Sequence, residues 1–245
     1  MQKPDFQRAY LMARLSSAAY QTDLNALSLA VARLNLEYVA IVTGPGFQAL
    51  IVREPGKSNI VVFRGTPVTC GRDIEDAIRA LLIDLGTEHI TAPGGGRILG
   101  GLYRAVLRYW PQIQQHLDLA LPVVLTGHSL GAAEALAAGA MISRVISIEV
   151  YAFAPFQCAD GVFWKAVYDG RSPPIIFGAE LDFAPGWNHA DPVTALAGQV
   201  WHLLANGGVE LVNTWPAYRE SVVDHSDLNY VSLLAKIAQP EMVRA

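Results

Sequence analysis

Leu121–Ala140 reads LPVVLTGHSLGAAEALAAGA, and its order of residue types decides how the rest of the chain is read. Val123, Val124 and Leu125 form the short apolar run of a strand buried on both faces, and an alanine-rich segment of high helix propensity begins at Leu130. Between them the pentad Gly127-His128-Ser129-Leu130-Gly131 fits G-x-S-x-G. A serine on a tight strand-to-helix corner draws neighbouring backbone segments together, and side chains two positions before and after it would collide there. Glycine removes that collision. The following helix then aims free N–H groups and the positive end of its dipole at the space beside the hydroxyl. The pentad alone is a common pattern, so its setting between strand and helix gives it weight.

Working outward, a length of 245 residues suits one large α/β domain over 1–245, with no linker evident and a core that needs no staples. The formal net charge of -4, with no basic run interleaved with aromatics, gives no support for nucleic-acid binding. Charged residues make up 16% against 52% apolar, a charge density low enough to permit an exposed apolar patch and transient contact with a lipid interface. No apolar stretch reaches the length of a transmembrane segment. The N-terminal MQKPDFQRAYLMARLSSAAY is broken by Asp5, Arg8 and Arg14. It lacks the hydrophobic centre of a signal peptide, which makes a cytoplasmic location the default expectation. Cys70 and Cys158 are too few for a disulfide framework. No HExxH or comparable ligand cluster is present, so neither a metal nor another cofactor is expected.

Helical periodicity covers residues 4–20 and 24–35, with Asp23 placed to cap the second helix. Tyr38–Thr43 and Ala49–Arg53 read as a hairpin around Gly44-Pro45-Gly46, and Asn59–Arg64 as a central strand. From Pro67 to Gly86, Ile74, Ala77, Ile78, Leu81 and Leu82 line one helical face, and the helix over residues 73–85 is a candidate lid as well as a candidate core element. Thr91–Arg97, with Gly94-Gly95-Gly96, reads as a flexible loop. Gly101–Leu119 predicts a long helix returning to the Val123 strand. Strands over Val145–Phe153 and Ile175–Gly178 follow, with Asp160 available to cap a short helix through Tyr168. A hairpin of Gln199–Leu204 and Val209–Asn213 and a helix over Asp227–Ala238 complete the chain. Strands alternating with helices, with some strands consecutive, predict a mixed sheet wrapped by helices.

A serine hydroxyl is a poor nucleophile at neutral pH and needs a histidine to take its proton and a carboxylate to orient that histidine. The chain order Ser, acid, His discards His89 and His116 and leaves His189, His202 and His225 downstream of the serine. His128 adjoins the serine but faces away across the turn, which suits packing. His202 alternates with Val200 and Leu203 in a strand and suits a structural role. His225, in VVDHSDLNY before the last helix, is the preferred base. Asp182, in AELDFAPGW, and Asp191, in NHADPVTAL, are both open as the acid.

Taken together, these residues resemble the class 3 lipases, the family that includes the filamentous-fungal triacylglycerol lipases. VVFRGT (61–66) resembles that family's oxyanion strand. IRALLIDL (78–85) and GGLYRAV (100–106) are similar to its lid region and the helix after it, and VVLTGHSLGAA (123–133) to its elbow. ADPVTALAGQVWH (190–202) and DHSDLNY (224–230) resemble the segments that hold its catalytic aspartate and histidine. The resemblance implies an α/β-hydrolase fold: a mixed, mostly parallel central sheet flanked by helices, with a helical lid. It implies a lipid ester as substrate, Ser129 as nucleophile, Asp191 as acid and His225 as base. Thr66 and Leu130 would form the oxyanion hole through their backbone N–H groups. Two departures stand out: residues 68–75 look like an insertion beside the lid, and Ala195-Leu196-Ala197 replaces a proline-rich continuation after Asp191, which keeps Asp182 as an alternative. A short-chain or feruloyl-type esterase would share the same triad. A non-catalytic binding relative would be expected to lack one of its members.

Overall fold

The computed structural model describes residues 5–67, 88–142, 147–155, 158–168, 174–179, 200–203, 209–212 and 227–238. The 73–85 helix and Cys70 lie outside the described residues, as do Asp182, Asp191 and His225.

Two helices open the chain, α1 (Phe6–Ala18) and α2 (Leu24–Ala32), and each is started by an aspartate. The Asp5 carboxylate accepts from Arg8 N, and the Asp23 carboxylate accepts from Asn25 N and Ala26 N, satisfying amides that have no intrahelical acceptor. Strands β1 (Glu37–Gly44), β2 (Phe47–Glu54) and β3 (Ser58–Phe63) form an antiparallel meander. A two-stranded ribbon, β4 (His89–Thr91) with β5 (Arg97–Leu99), leads into α3 (Gly100–Gln114). The chain continues through β6 (Val123–His128), α4 (Leu130–Ile142), β7 (Ile148–Phe153), α5 (Gly161–Tyr168) and β8 (Ile175–Ala179). It ends in β9 (Val200–Leu203), β10 (Val209–Val212) and α6 (Asp227–Ala238).

The described strands other than β4 and β5 form one eight-stranded sheet, in the order β1-β2-β3-β6-β7-β8-β9-β10. From β3 to β9 the neighbours are parallel, and the antiparallel pairs lie at the two edges. This is the mixed, mostly parallel sheet expected from the sequence. Its central strands are apolar on both faces because both faces are covered. Every residue of β3 and of β6 is buried. Ile60 and Val62 of β3 join Val124 of β6, Tyr151 and Phe153 in a core with α1, α2 and α6. Val61 and Phe63, one residue out of phase, join Leu125 and Ala152 in the opposite core with α3 and α4. Each such large apolar side chain contributes about 1.5–3 kcal/mol by leaving water. Helix α4 has no polar stripe: residues 130–140 are all buried, and alanine and glycine keep it thin enough to lie between the sheet and its neighbours.

Two expectations need correction. Thr91–Arg97 is not a loose loop, because Thr91 and Arg97 are a ladder pair and the turn between them is closed by Ala92 N–H to Gly96 O at 3.0 Å. Gly96 has φ +76°, and a Cβ there would stand 2.1 Å from the Phe163 backbone nitrogen, so this glycine serves close packing against α5. The helix expected to reach Leu119 stops at Gln114. Pro111 lies inside it and withholds one amide from the ladder, and the last turn passes into short-range bonds such as His116 N–H to Ile113 O. The buried Asn59 of β3 then secures the return to β6, accepting from Asp118 N and donating to the Asp118 and Leu121 carbonyls.

Candidate functional site

Ser129 occupies the corner between β6 and α4 with φ +57°, in the left-handed region, although it is not glycine. Such a conformation costs on the order of 1–3 kcal/mol and persists only where the surroundings over-determine it. Here they do. Ser129 N–H donates to the Phe153 carbonyl of β7 at 3.0 Å, and its own carbonyl accepts from Ala132 and Ala133 to start the helix. Gly127 and Gly131 explain themselves by contact: a Cβ on Gly127 would meet the Gly131 carbonyl at 2.3 Å, and one on Gly131 would meet the Phe63 carbonyl oxygen at 2.1 Å. The serine itself is only 7% exposed.

Strand β3 brings the second part of the site. Phe63 pairs with Gly127 in the parallel ladder, so Arg64-Gly65-Thr66 leaves the sheet alongside His128-Ser129-Leu130. The two segments touch, since a Cβ on Gly65 would lie 2.5 Å from the His128 carbonyl oxygen. Thr66 is the next residue on this segment, as Ser129 and then Leu130, the first residue of α4, are on the other. The Thr66 hydroxyl oxygen is buried and has no hydrogen-bond partner among the described residues. A buried hydroxyl without a partner carries a desolvation cost of about 1–3 kcal/mol. The cost is recovered when an acceptor arrives beside it.

The structure thus brings the segment that carries Thr66 against the one that carries Ser129 and Leu130. His225 stands two residues before α6, whose Tyr230 packs its ring 5.8 Å from the ring of His128. His128 itself faces α1 and α6, with Nδ1 2.9 Å from the Tyr20 hydroxyl, which agrees with its reading as a packing residue. His116 is exposed at the opposite end of the sheet, where its carbonyl accepts from Arg53. His202 lies in β9, paired with Glu210 of β10. Cys158 offers no competing nucleophile, because burial pushes its thiol up to about 12 and keeps it protonated.

One buried group escaped the sequence reading. Glu134 lies on α4 three residues after Gly131, hence on the same helical face. It is 2% exposed, and its Oε2 has no hydrogen-bond partner among the described residues. Burial raises its pKa well above the usual carboxylate value, and the opposing pull of Arg64 is the smaller effect. Burial therefore favours the protonated form of Glu134. The signal was a lone carboxylate in an otherwise alanine-rich helix. Among the described residues no group of three or more histidines, cysteines or carboxylates could hold a metal ion, and no helix is long and apolar enough to cross a membrane.

A mostly parallel sheet between two helical layers, with a strained serine where a central strand turns into a helix, defines an α/β-hydrolase. Within that class the family can be stated: the description "Lipase (class 3)" matches residues 60–200, and the chain belongs to this family. It is accordingly a carboxylic ester hydrolase, and its substrates are lipid esters. Solved structures share the fold at low identity. A lipase from Rhizopus microsporus var. chinensis superposes with a TM-score of 0.66 at 18% identity, covering 92% of this chain and 87% of that one. The native Rhizomucor miehei lipase propeptide complex gives 0.65 at 19%, covering 92% and 80%. A triacylglycerol lipase from Penicillium expansum gives 0.56 at 17%, covering 84% and 82%. No curated protein matches the chain.

Proposed function

We propose that the chain cleaves acyl glycerols or similar lipid esters through a Ser129–His225–Asp191 triad and an acyl-enzyme. Ser129 Oγ attacks the ester carbonyl carbon as His225 takes its proton, and Asp191 accepts the other imidazole N–H and steadies the imidazolium. The tetrahedral oxyanion is bound by the N–H groups of Thr66 and Leu130 and by the Thr66 hydroxyl. Collapse expels the alcohol, which takes the proton from His225. A water activated by His225 then attacks the acyl carbon, releases the carboxylic acid and returns the hydrogen to Ser129.

The observation that carries this reading is a serine at φ +57° on the β6–α4 corner, beside a buried hydroxyl at Thr66 without a described partner. The position of His225, two residues ahead of a helix that packs on His128, supports it as base. A fluorophosphonate probe tests the nucleophile. Labelling of Ser129, found by peptide mass spectrometry, is expected, and an intact Ser129 in a chain that still hydrolyses p-nitrophenyl butyrate overturns it. The acid is tested by a pair of variants. Asp191→Asn should lose about ten-thousandfold in kcat, and a larger loss in Asp182→Asn transfers the role. Rates measured against acyl length, below and above micelle formation, separate a lipase from a short-chain esterase: a lipase gains with both.

A further inference from the structure

The end of α1 reaches the candidate site from the face opposite α4. Tyr20, just past that helix, places its hydroxyl 2.9 Å from His128 Nδ1. The same hydroxyl lies against Gly65, where an added Cβ would come within 2.1 Å of it. One phenol oxygen thus touches the residue before Thr66 and bonds the residue before Ser129. Its neighbour Ala19 is fixed as well, its carbonyl accepting from Gln48 Nε2 at 3.1 Å while the Gln48 carbonyl accepts from Arg64 N at 2.9 Å. On the other side of His128, Tyr230 packs against both the imidazole and Phe153, whose carbonyl holds Ser129 N–H.

These contacts close a gap that the sheet leaves open. The β3–β6 ladder ends at Phe63 and Gly127, so no described ladder bond fixes residues 64–66 against 128–130. The separation of a nucleophile from its oxyanion donors is what an acyl transfer is most sensitive to, and an error near 1 Å can cost on the order of a hundredfold. Resting on the reading of Ser129 as nucleophile and Thr66 as oxyanion donor, we propose that Tyr20 is a positioning residue. Its hydroxyl, bonded to His128 and seated on Gly65, sets the distance between the two.

The test is Tyr20→Phe, which keeps the ring and removes the bond, assayed on a soluble p-nitrophenyl ester well below the melting temperature, with active sites counted by fluorophosphonate labelling. The expected result is a fall of about tenfold in kcat per labelled site with KM within about twofold, smaller than the loss of a donor outright. The pH–rate limbs stay where they are, since Tyr20 moves no proton. In a Thr66→Ala background, which keeps the residue 66 N–H but removes the hydroxyl, the further loss from Tyr20→Phe should shrink, because one of the two donors being placed is already gone. An unchanged kcat per labelled site, or losses that simply multiply in the double variant, overturns the proposal. A wild-type chain that does not label at Ser129 while still turning over ester removes the site assignment and the Tyr20 role with it.

Discussion

Gly131 and Phe63 are in backbone contact: the helix that begins at the Ser129 corner rests its second residue on the last carbonyl of β3, with room for no side chain between them. The contact makes the helix position depend on one missing methyl group. In Gly131→Ala the new Cβ would stand 2.1 Å from a backbone oxygen that cannot rotate away, so α4 must shift. Overpacking of this kind costs about 1–3 kcal/mol, and the accompanying displacement should lower kcat by on the order of a hundredfold. Thermal melts and ester kinetics on the purified variant check both. Native values in the two together would mean that the corner tolerates a side chain.

The strain at Ser129 gives a second expectation. Ser129→Gly removes the proposed nucleophile and also the cost of holding a non-glycine residue at φ +57°. Turnover should fall by roughly a millionfold, while the folded state should gain about 1 kcal/mol. Denaturant titration should therefore show the inactive glycine variant to be more stable than wild type and than Ser129→Ala, which keeps the strain.

Thr66 should show the same opposition between stability and activity for a different reason. Its buried hydroxyl has no described partner in the resting protein, so Thr66→Val deletes a group that costs desolvation and adds a methyl of similar size. Stability is expected to stay level or rise by up to about 1 kcal/mol, while kcat falls by about a hundredfold for want of an oxyanion donor. Equal turnover in the valine variant would leave the backbone amides as the whole of the oxyanion site.

Glu134 predicts how stability varies with pH. Its folded-state pKa is raised by burial, so between the unfolded value near 4.5 and the raised value the folded chain holds a proton that the unfolded chain has lost. The unfolded state then binds fewer protons, and stability falls as pH rises. The contribution is fully present below about pH 4.5 and is lost through the raised folded pKa. Glu134→Gln, which keeps shape and neutrality, should melt like wild type near pH 4 and progressively above it as pH rises to 9. Parallel melting curves at every pH would show that the carboxyl does not stay protonated.

How far the sequence could be read varies along the chain in an instructive way. The near-continuous apolar run of Asn59–Phe63, the apolar run before Ser129 and the helix over Asp227–Ala238 were legible because each depends on near neighbours and on surface to bury. The ribbon at 89–99 was not, because three glycines read locally as a loop, whereas the close approach of Phe163 is what orders Gly96. At the candidate site, motif and resemblance pointed to Ser129, Thr66 and Leu130. Tyr20 was not, since a tyrosine after an amphipathic helix has no local mark distinguishing it from any other.

Near-neighbour chemistry along the chain is enough to specify the strand–corner–helix unit, the two glycines it requires and the alternation of elements that yields a mixed sheet. Those features follow from interactions among residues a few positions apart. Long-range packing settled that β3 lies parallel beside β6, which carries Arg64-Gly65-Thr66 alongside the β6–α4 corner, and that Tyr20 meets His128 across 108 positions of chain. It also decided that Glu134 is sealed from water. Such pairings arise when distant segments are buried against one another, and burial depends on the whole packed chain and not on any stretch of it.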